Sequence, residues 1–111
     1  MRTDPVAYLG FTREWVLPIL EGRKTQTLRR PARLPRAIYT GSEPIEARNN
    51  HNRPPFARLD IVQIDTVTVE QLTRGDAKRE AVPSLKALRV ILTDLYGEEP
   101  GALVRIRFVV I

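Results

Sequence analysis

The spacing of apolar and polar positions changes several times along this 111-residue chain, and each change marks an element. Val6 to Phe11 reads as a first strand, with Thr12 placed to cap the next, helical stretch. From Arg13 to Glu21 the apolar residues Trp15, Val16, Ile19 and Leu20 share one helical face. Pro18 lies inside that segment and has no amide hydrogen, which predicts a kink or two short turns. Gly22 suits a left-handed stop, and Lys24 to Arg29 reads as a second extended segment. Pro31 and Pro35 bracket a basic connector, after which Ala37 to Thr40 reads as a short strand closed by Gly41.

Ser42 to Pro55 carries three prolines and three asparagines and little to bury, so it reads as a long surface loop. Phe56 to Thr68 alternates, but its phase slips: Leu59 and Ile61 share a face and Ile64 is out of step. Such slips accompany bulges, which bend strands as a small barrel requires. Val69 to Leu72 fits one helical turn. Pro83 suits a first helical position, and Leu85, Leu88, Ile91, Leu92, Leu95 and Tyr96 repeat at helical spacing up to Gly97. Ala102 to Ile111 alternates Val104, Ile106, Phe108 and Val110 against Arg105 and Arg107, a strand with one buried face. The order of elements predicts one α+β domain over residues 1–111, built on a curved, mostly antiparallel sheet or barrel with two main helical segments.

Composition narrows the chemistry. There is no cysteine, so thiol nucleophiles and thiolate metal sites are excluded, and one histidine, His51, makes no zinc site alone. No metal or cofactor is expected, nor a membrane span, and the cytoplasm is the default location. The net charge is +5, and fifteen of the eighteen basic residues are arginine. An arginine-rich genome or a heat-adapted surface would account for that total as well as an anionic partner would. Distribution says more: Arg23, Lys24, Arg29, Arg30, Arg33 and Arg36 fall in one block without an acidic residue, which favours a nucleotide or RNA partner.

The densest chemistry is Gly22-Arg23-Lys24-Thr25-Gln26-Thr27-Leu28-Arg29-Arg30. Threonine needs a neighbouring base to act as a nucleophile. A lysine serves only if burial or nearby positive charge lowers its pKa, and the arginines around it supply such charge. In a regular strand Lys24 and Thr27 would face opposite ways, so their convergence places Lys24 in the turn after Gly22. Taken singly, the two threonines also suit any strand, and Lys24 and Glu80 also suit a solvated surface. Trp15 reads as core, Tyr39 as barrel filling or a base-stacking platform, and His51 as solvated.

Gly22 to Arg29, placed just after an apolar helix, resembles the signature of the ASCH domain, a small β-barrel superfamily related to the PUA RNA-binding fold. Leu72 to Glu80 and the apolar helix from Leu85 to Tyr96 are similar to the family's segment leading into and through its C-terminal helix. The chain lacks the family's usual Gly-Asp turn after the basic connector. One branch of the superfamily deacetylates N4-acetylcytidine. Membership of that branch would make Lys24 the base, Thr27 the nucleophile and Glu80 the proton donor. The candidate substrate or nucleic-acid contacts, read from the basic block and its neighbour, are Arg23, Arg29, Arg30, Arg33 and Tyr39. The other readings are a non-catalytic RNA-binding module with a basic cleft and, more remotely, a ribonuclease on the same surface.

Overall fold

The computed structural model describes residues 7–34, 36–40, 43–50 and 54–111. Five strands form one sheet: β1 (Tyr8–Phe11), β2 (Gln26–Arg29), β3 (Ile45–Asn49), β4 (Pro55–Val67) and β5 (Leu103–Val110). Their spatial order is β1-β3-β4-β5-β2. β1 runs parallel to β3, and the other pairs are antiparallel. The sheet curls into a half-barrel whose two edges are β1 and β2. Arg29 on β2 donates to the Gly10 carbonyl of β1 at 2.8 Å, so the two edges meet across a seam. The α+β fold class expected from the sequence is the one observed.

Curvature comes from register shifts in β4. Between Ile61 and Gln63 the pairing with β5 slips by one residue, the bulge anticipated by the phase of Ile64. A second shift between Ala47 and Arg48 bends β3 against β4. Inside the curl, Leu9, Phe11, Ile19, Ile38, Ile45, Ala47, Leu59, Val104, Ile106 and Phe108 make one core. A second core joins Leu28, Val67 and Leu103 to the helices through Leu72, Ala77, Leu88 and Leu92.

The helices are α1 (Val16–Leu20), α2 (Arg36–Thr40), α3 (Arg74–Arg79) and α4 (Leu85–Tyr96). A 3-10 turn over Arg13–Trp15 precedes α1, so this region is two short pieces, and Pro18 lies in the first turn of the second, where a missing amide hydrogen is tolerated. Gly97, at φ 87°, ends α4. No helix among the described residues is long and apolar enough to cross a membrane.

Several expectations need correction. Ala37 to Thr40 is helix α2 rather than a strand: burial of Ile38 outweighs the local β preference. The loop expected over Ser42 to Pro55 contains β3, whose Ile45 and Ala47 are buried while Glu46 and Arg48 point outward. That alternation is too short to stand out among the asparagines and prolines. Pro83 lies before α4, not in its first turn: Ser84 is the N-cap, its hydroxyl accepting from the Ala87 amide at 3.0 Å. Helix α3 adds an element beyond those expected. A capping box starts it, with Thr73 and Asp76 each bonding the other's backbone N–H. Gln26, not Lys24, opens β2.

Candidate active site

The turn after α1 sets the first group. Gly22 sits at φ 77°, and the amides of Arg23 and Lys24 both return to the Pro18 carbonyl, at 2.9 and 3.0 Å. Lys24 is therefore in a turn and escapes the alternation that would have turned it away from Thr27. Its ammonium is carried onto Trp15, 4.5 Å from the ring centroid, and into contact with Glu80.

Glu80 ends α3. Its position is fixed by a backbone bond between the Thr25 amide and the Arg79 carbonyl at 2.7 Å, which stitches the start of β2 to the end of α3. Lys24 Nζ lies 3.0 Å from Glu80 Oε1, and the residues are 4% and 5% exposed. Gln26, fully buried, donates from Nε2 to the other carboxylate oxygen at 3.0 Å. Its own Oε1 accepts from Arg79 at 3.0 Å and Arg107 at 3.2 Å. Two cationic donors on one end of the amide leave its NH2 aimed at Glu80. Arg79 and Arg105 converge in turn on Asp76, at 3.1 and 3.0 Å, and Arg105 also pairs with Asp65. Burial pushes Asp76 up, but the Thr73 amide and the Arg79 guanidinium outweigh it and hold its carboxyl at about 2.

Lys24, Thr27 and Glu80 all line one cavity of about 390 Å³. Its walls come from both edges of the half-barrel seam and from α4: Gly10 and Phe11, Trp15, Arg29, then Leu88, Ile91, Leu92, Leu95 and Tyr96. Thr27 Oγ1 accepts from Arg29 Nε at 3.2 Å. Asn50 closes the rim against Gly10, where a Cβ would come within 1.8 Å of Asn50 Oδ1, so any larger residue would push that side chain off the rim.

Electrostatics in the cavity follow from burial. Desolvation lowers the Lys24 pKa, and the Glu80 charge only partly restores it. Desolvation raises Glu80, and Lys24 and Gln26 only partly offset that. Both shifts run toward the same outcome: the proton between them moves from ammonium to carboxylate more readily than it would in water.

The proposed substrate residues separate. Arg29 reaches the cavity, whereas Arg23 is exposed and paired with Glu21 at 2.6 Å. Arg30 donates to the Tyr96 carbonyl at 2.6 Å and lies over that ring, beside the cavity wall. Tyr39, on α2, is 49% exposed, so it neither fills the barrel nor lines the cavity. The side chain of Arg33 and all of His51 lie outside the described residues. Trp15, expected in the core, packs half-buried against it, with the Lys24 ammonium over its ring. Sequence reasoning missed Gln26, although its place inside the motif, two residues after the lysine, is a signal for it.

No protein-family model and no curated protein matches the chain. Solved structures do. An ASCH domain from Lactobacillus crispatus superposes with a TM-score of 0.63 at 14% identity, covering 94% of this chain and 79% of that one. The fold is that of an ASCH domain. A protein of Enterococcus faecalis described by the family model DUF984 has the same fold, with a TM-score of 0.62 at 15% identity over 88% of this chain and 67% of its own. In this ASCH fold the cavity occupies the seam between the sheet edges, with α4 as its apolar wall.

Proposed function

We propose that this chain hydrolyses the exocyclic amide of an N4-acylated cytidine-type nucleoside. The observation that carries the reading is the convergence of Lys24, Thr27 and Glu80 on one cavity, with the lysine and glutamate in buried contact. A cavity of about 390 Å³ falls within the roughly 300–1,000 Å³ of small-molecule sites. Its apolar α4 wall and half-buried Trp15 suit the flat faces of a pyrimidine, and its polar floor suits an amide.

The reaction uses the neutral form of the pair. Proton transfer from Lys24 to Glu80 gives an amine and a carboxylic acid side by side. The amine takes the Thr27 proton as Oγ1 attacks the acyl carbon. Glu80 then hands its proton to the departing cytidine amino group as the C–N bond breaks. This leaves acylated Thr27 and restores the ion pair. A second pass, with water in place of the threonine hydroxyl, releases the carboxylic acid. We assign to Arg29, which donates to Thr27 Oγ1, the stabilisation of the negative charge that develops on the acyl oxygen.

Purified protein incubated with N4-acetylcytidine should release cytidine. Thr27→Ala and Lys24→Met should each lower turnover by on the order of 10²–10⁴-fold. Parent-like turnover in either variant would remove the role assigned to it. Phosphate gripping by the Arg23–Arg36 block is less well supported, since Arg23, Arg29 and Arg30 point to three different places and each has a partner.

A further inference from the structure

The polar side chains on the cavity wall divide into those already committed and those left open. Lys24 and Glu80 hold each other at 3.0 Å. The Tyr96 hydroxyl donates to the Leu28 carbonyl at 3.2 Å. Arg29 divides its guanidinium between the Gly10 carbonyl and Thr27 Oγ1. Thr12, Glu14, Asn50 and Asp94 remain, all exposed, and none has a side-chain hydrogen bond to another described residue. Glu14 and Asp94 only accept, and Thr12 offers a single hydroxyl. Asn50 alone of the four presents a donor and an acceptor side by side in one plane. Its place is set by β1. The Asn50 amide returns to the Phe11 carbonyl at 2.9 Å, and its carboxamide lies over Gly10, where a Cβ would overlap Oδ1. The carbonyl of the same glycine accepts from Arg29, whose Nε reaches Thr27. One glycine thus holds the Asn50 carboxamide close to the residue that touches the proposed nucleophile.

We propose that Asn50 is the specificity residue of this cavity, its carboxamide pairing with the N3–N4 edge of a cytosine-type ring. The inference rests on the nucleoside reading of the cavity and deepens it. On that edge the ring nitrogen N3 is an acceptor and the neighbouring N4–H is a donor. A carboxamide is their complement: Nδ2 donates to N3 while Oδ1 accepts from N4–H. The same two-bond match lets asparagine read the donor–acceptor edge of adenine in DNA. N4 carries a hydrogen both in the acylated nucleoside and in the free one, so the pair holds the ring while the bond from N4 to the acyl carbon breaks. Neither Glu14 nor Asp94 can substitute, since a carboxylate would set its lone pairs against that of N3. Gly10 is the condition for this placement, because any Cβ there would drive the carboxamide off the rim.

Isothermal titration with cytidine and with 3-deazacytidine, whose ring has C–H in place of N3, tests this by binding alone. The parent should bind cytidine about three- to tenfold more tightly, the worth of one ordinary hydrogen bond. Asn50→Ala should weaken cytidine binding and bind the two ligands equally. Asn50→Asp keeps the acceptor but opposes N3, and should reverse the preference. Gly10→Ala leaves Asn50 in the sequence but displaces its side chain, and should behave as Asn50→Ala does. A rim residue with only a structural role would weaken both ligands alike, and that result would overturn the assignment. So would absence of cytidine binding by the parent, or a preference that survives in Asn50→Ala. The predicted preferences without hydrolysis of N4-acetylcytidine would remove the catalytic reading and uphold Asn50. Hydrolysis with a preference indifferent to Asn50 would remove this inference alone. Circular dichroism of each variant confirms that the fold is intact.

Discussion

Glu80→Gln tests the buried pair directly, because it keeps the shape of the side chain and removes the charge. The new amide can still accept from Gln26, but its NH2 then faces the Lys24 ammonium, donor against donor. Lys24 is 4% exposed and cannot turn to water, so the folded protein relieves the conflict by holding Lys24 neutral. Keeping a lysine neutral costs about 1.36 kcal/mol for each pH unit below its unfolded value near 10.4, about 4.6 kcal/mol at pH 7 and about 2 kcal/mol at pH 9. The pH 7 figure agrees with the roughly 3–5 kcal/mol measured when one partner of a buried ion pair is removed. In this variant the unfolded chain binds a proton that the folded chain does not, so its stability rises with pH. Lys24→Met reverses the sign. Glu80 is then buried alone and takes up a proton, at a cost of about 1 kcal/mol at pH 5 and about 3.7 kcal/mol at pH 7 relative to an unfolded value near 4.3. Its stability therefore falls as pH rises from about 4.3 through the raised folded pKa. Urea denaturation followed by circular dichroism, at pH 5, 7 and 9 for parent and both variants, measures these slopes. Losses below about 1 kcal/mol at pH 7 in both variants, or slopes of the same sign, would refute burial as the source of the two pKa shifts.

Three further perturbations probe the supports of the site. Gln26→Leu orphans one Glu80 oxygen and the donors on Arg79 and Arg107, and should cost about 1–3 kcal/mol in urea denaturation. It should also push the Glu80 pKa further up, which would show as a raised acidic limb in the pH profile of kcat/KM. Ala81, directly after Glu80, sits at φ 61° in a position that favours glycine, with Val82 N–H bonded to the Ala77 carbonyl and Ala81 N–H to that of Lys78. Ala81→Gly should therefore raise stability by about 0.5–1 kcal/mol in the same assay, after the extra freedom of glycine in the unfolded chain is subtracted. Asp76, held at about 2, contributes stability that is full above the unfolded carboxylate value and fades as pH falls through about 2. Asp76→Asn should lose roughly 2 kcal/mol at pH 7 and show a weaker acid transition than the parent between about pH 4 and 2.

What the chain discloses on its own depends on whether a feature is local. The α4 pattern, the β5 alternation, the β4 slip and the turn placement of Lys24 are all set by neighbours within a few residues, and they are legible. Helix α2 is misread because Ile38 and Tyr39 prefer strands, while burial of Ile38 against the barrel core decides the outcome. Strand β3 is hidden for the complementary reason: two buried residues among polar ones carry little periodic signal, and pairing with β4 supplies the rest. At the site, the lysine and threonine belong to one motif, but Gln26 takes its role from Arg79 and Arg107, far along the sequence. The basic residues mislead in a similar way. Proximity in sequence suggests one cationic face over Arg23 to Arg36, whereas the fold points Arg23, Arg29 and Arg30 to three different places.

Acylation of Thr27 is the step on which the proposed chemistry turns, and mass spectrometry reads it directly. Parent protein mixed with N4-acetylcytidine and quenched early should carry the mass of one acetyl group on the peptide containing Thr27. Thr27→Ala should carry none and release cytidine on the order of 10²–10⁴-fold more slowly. Cytidine release by the parent with no acetylated Thr27 at any quench time, or undiminished release by Thr27→Ala, would contradict it.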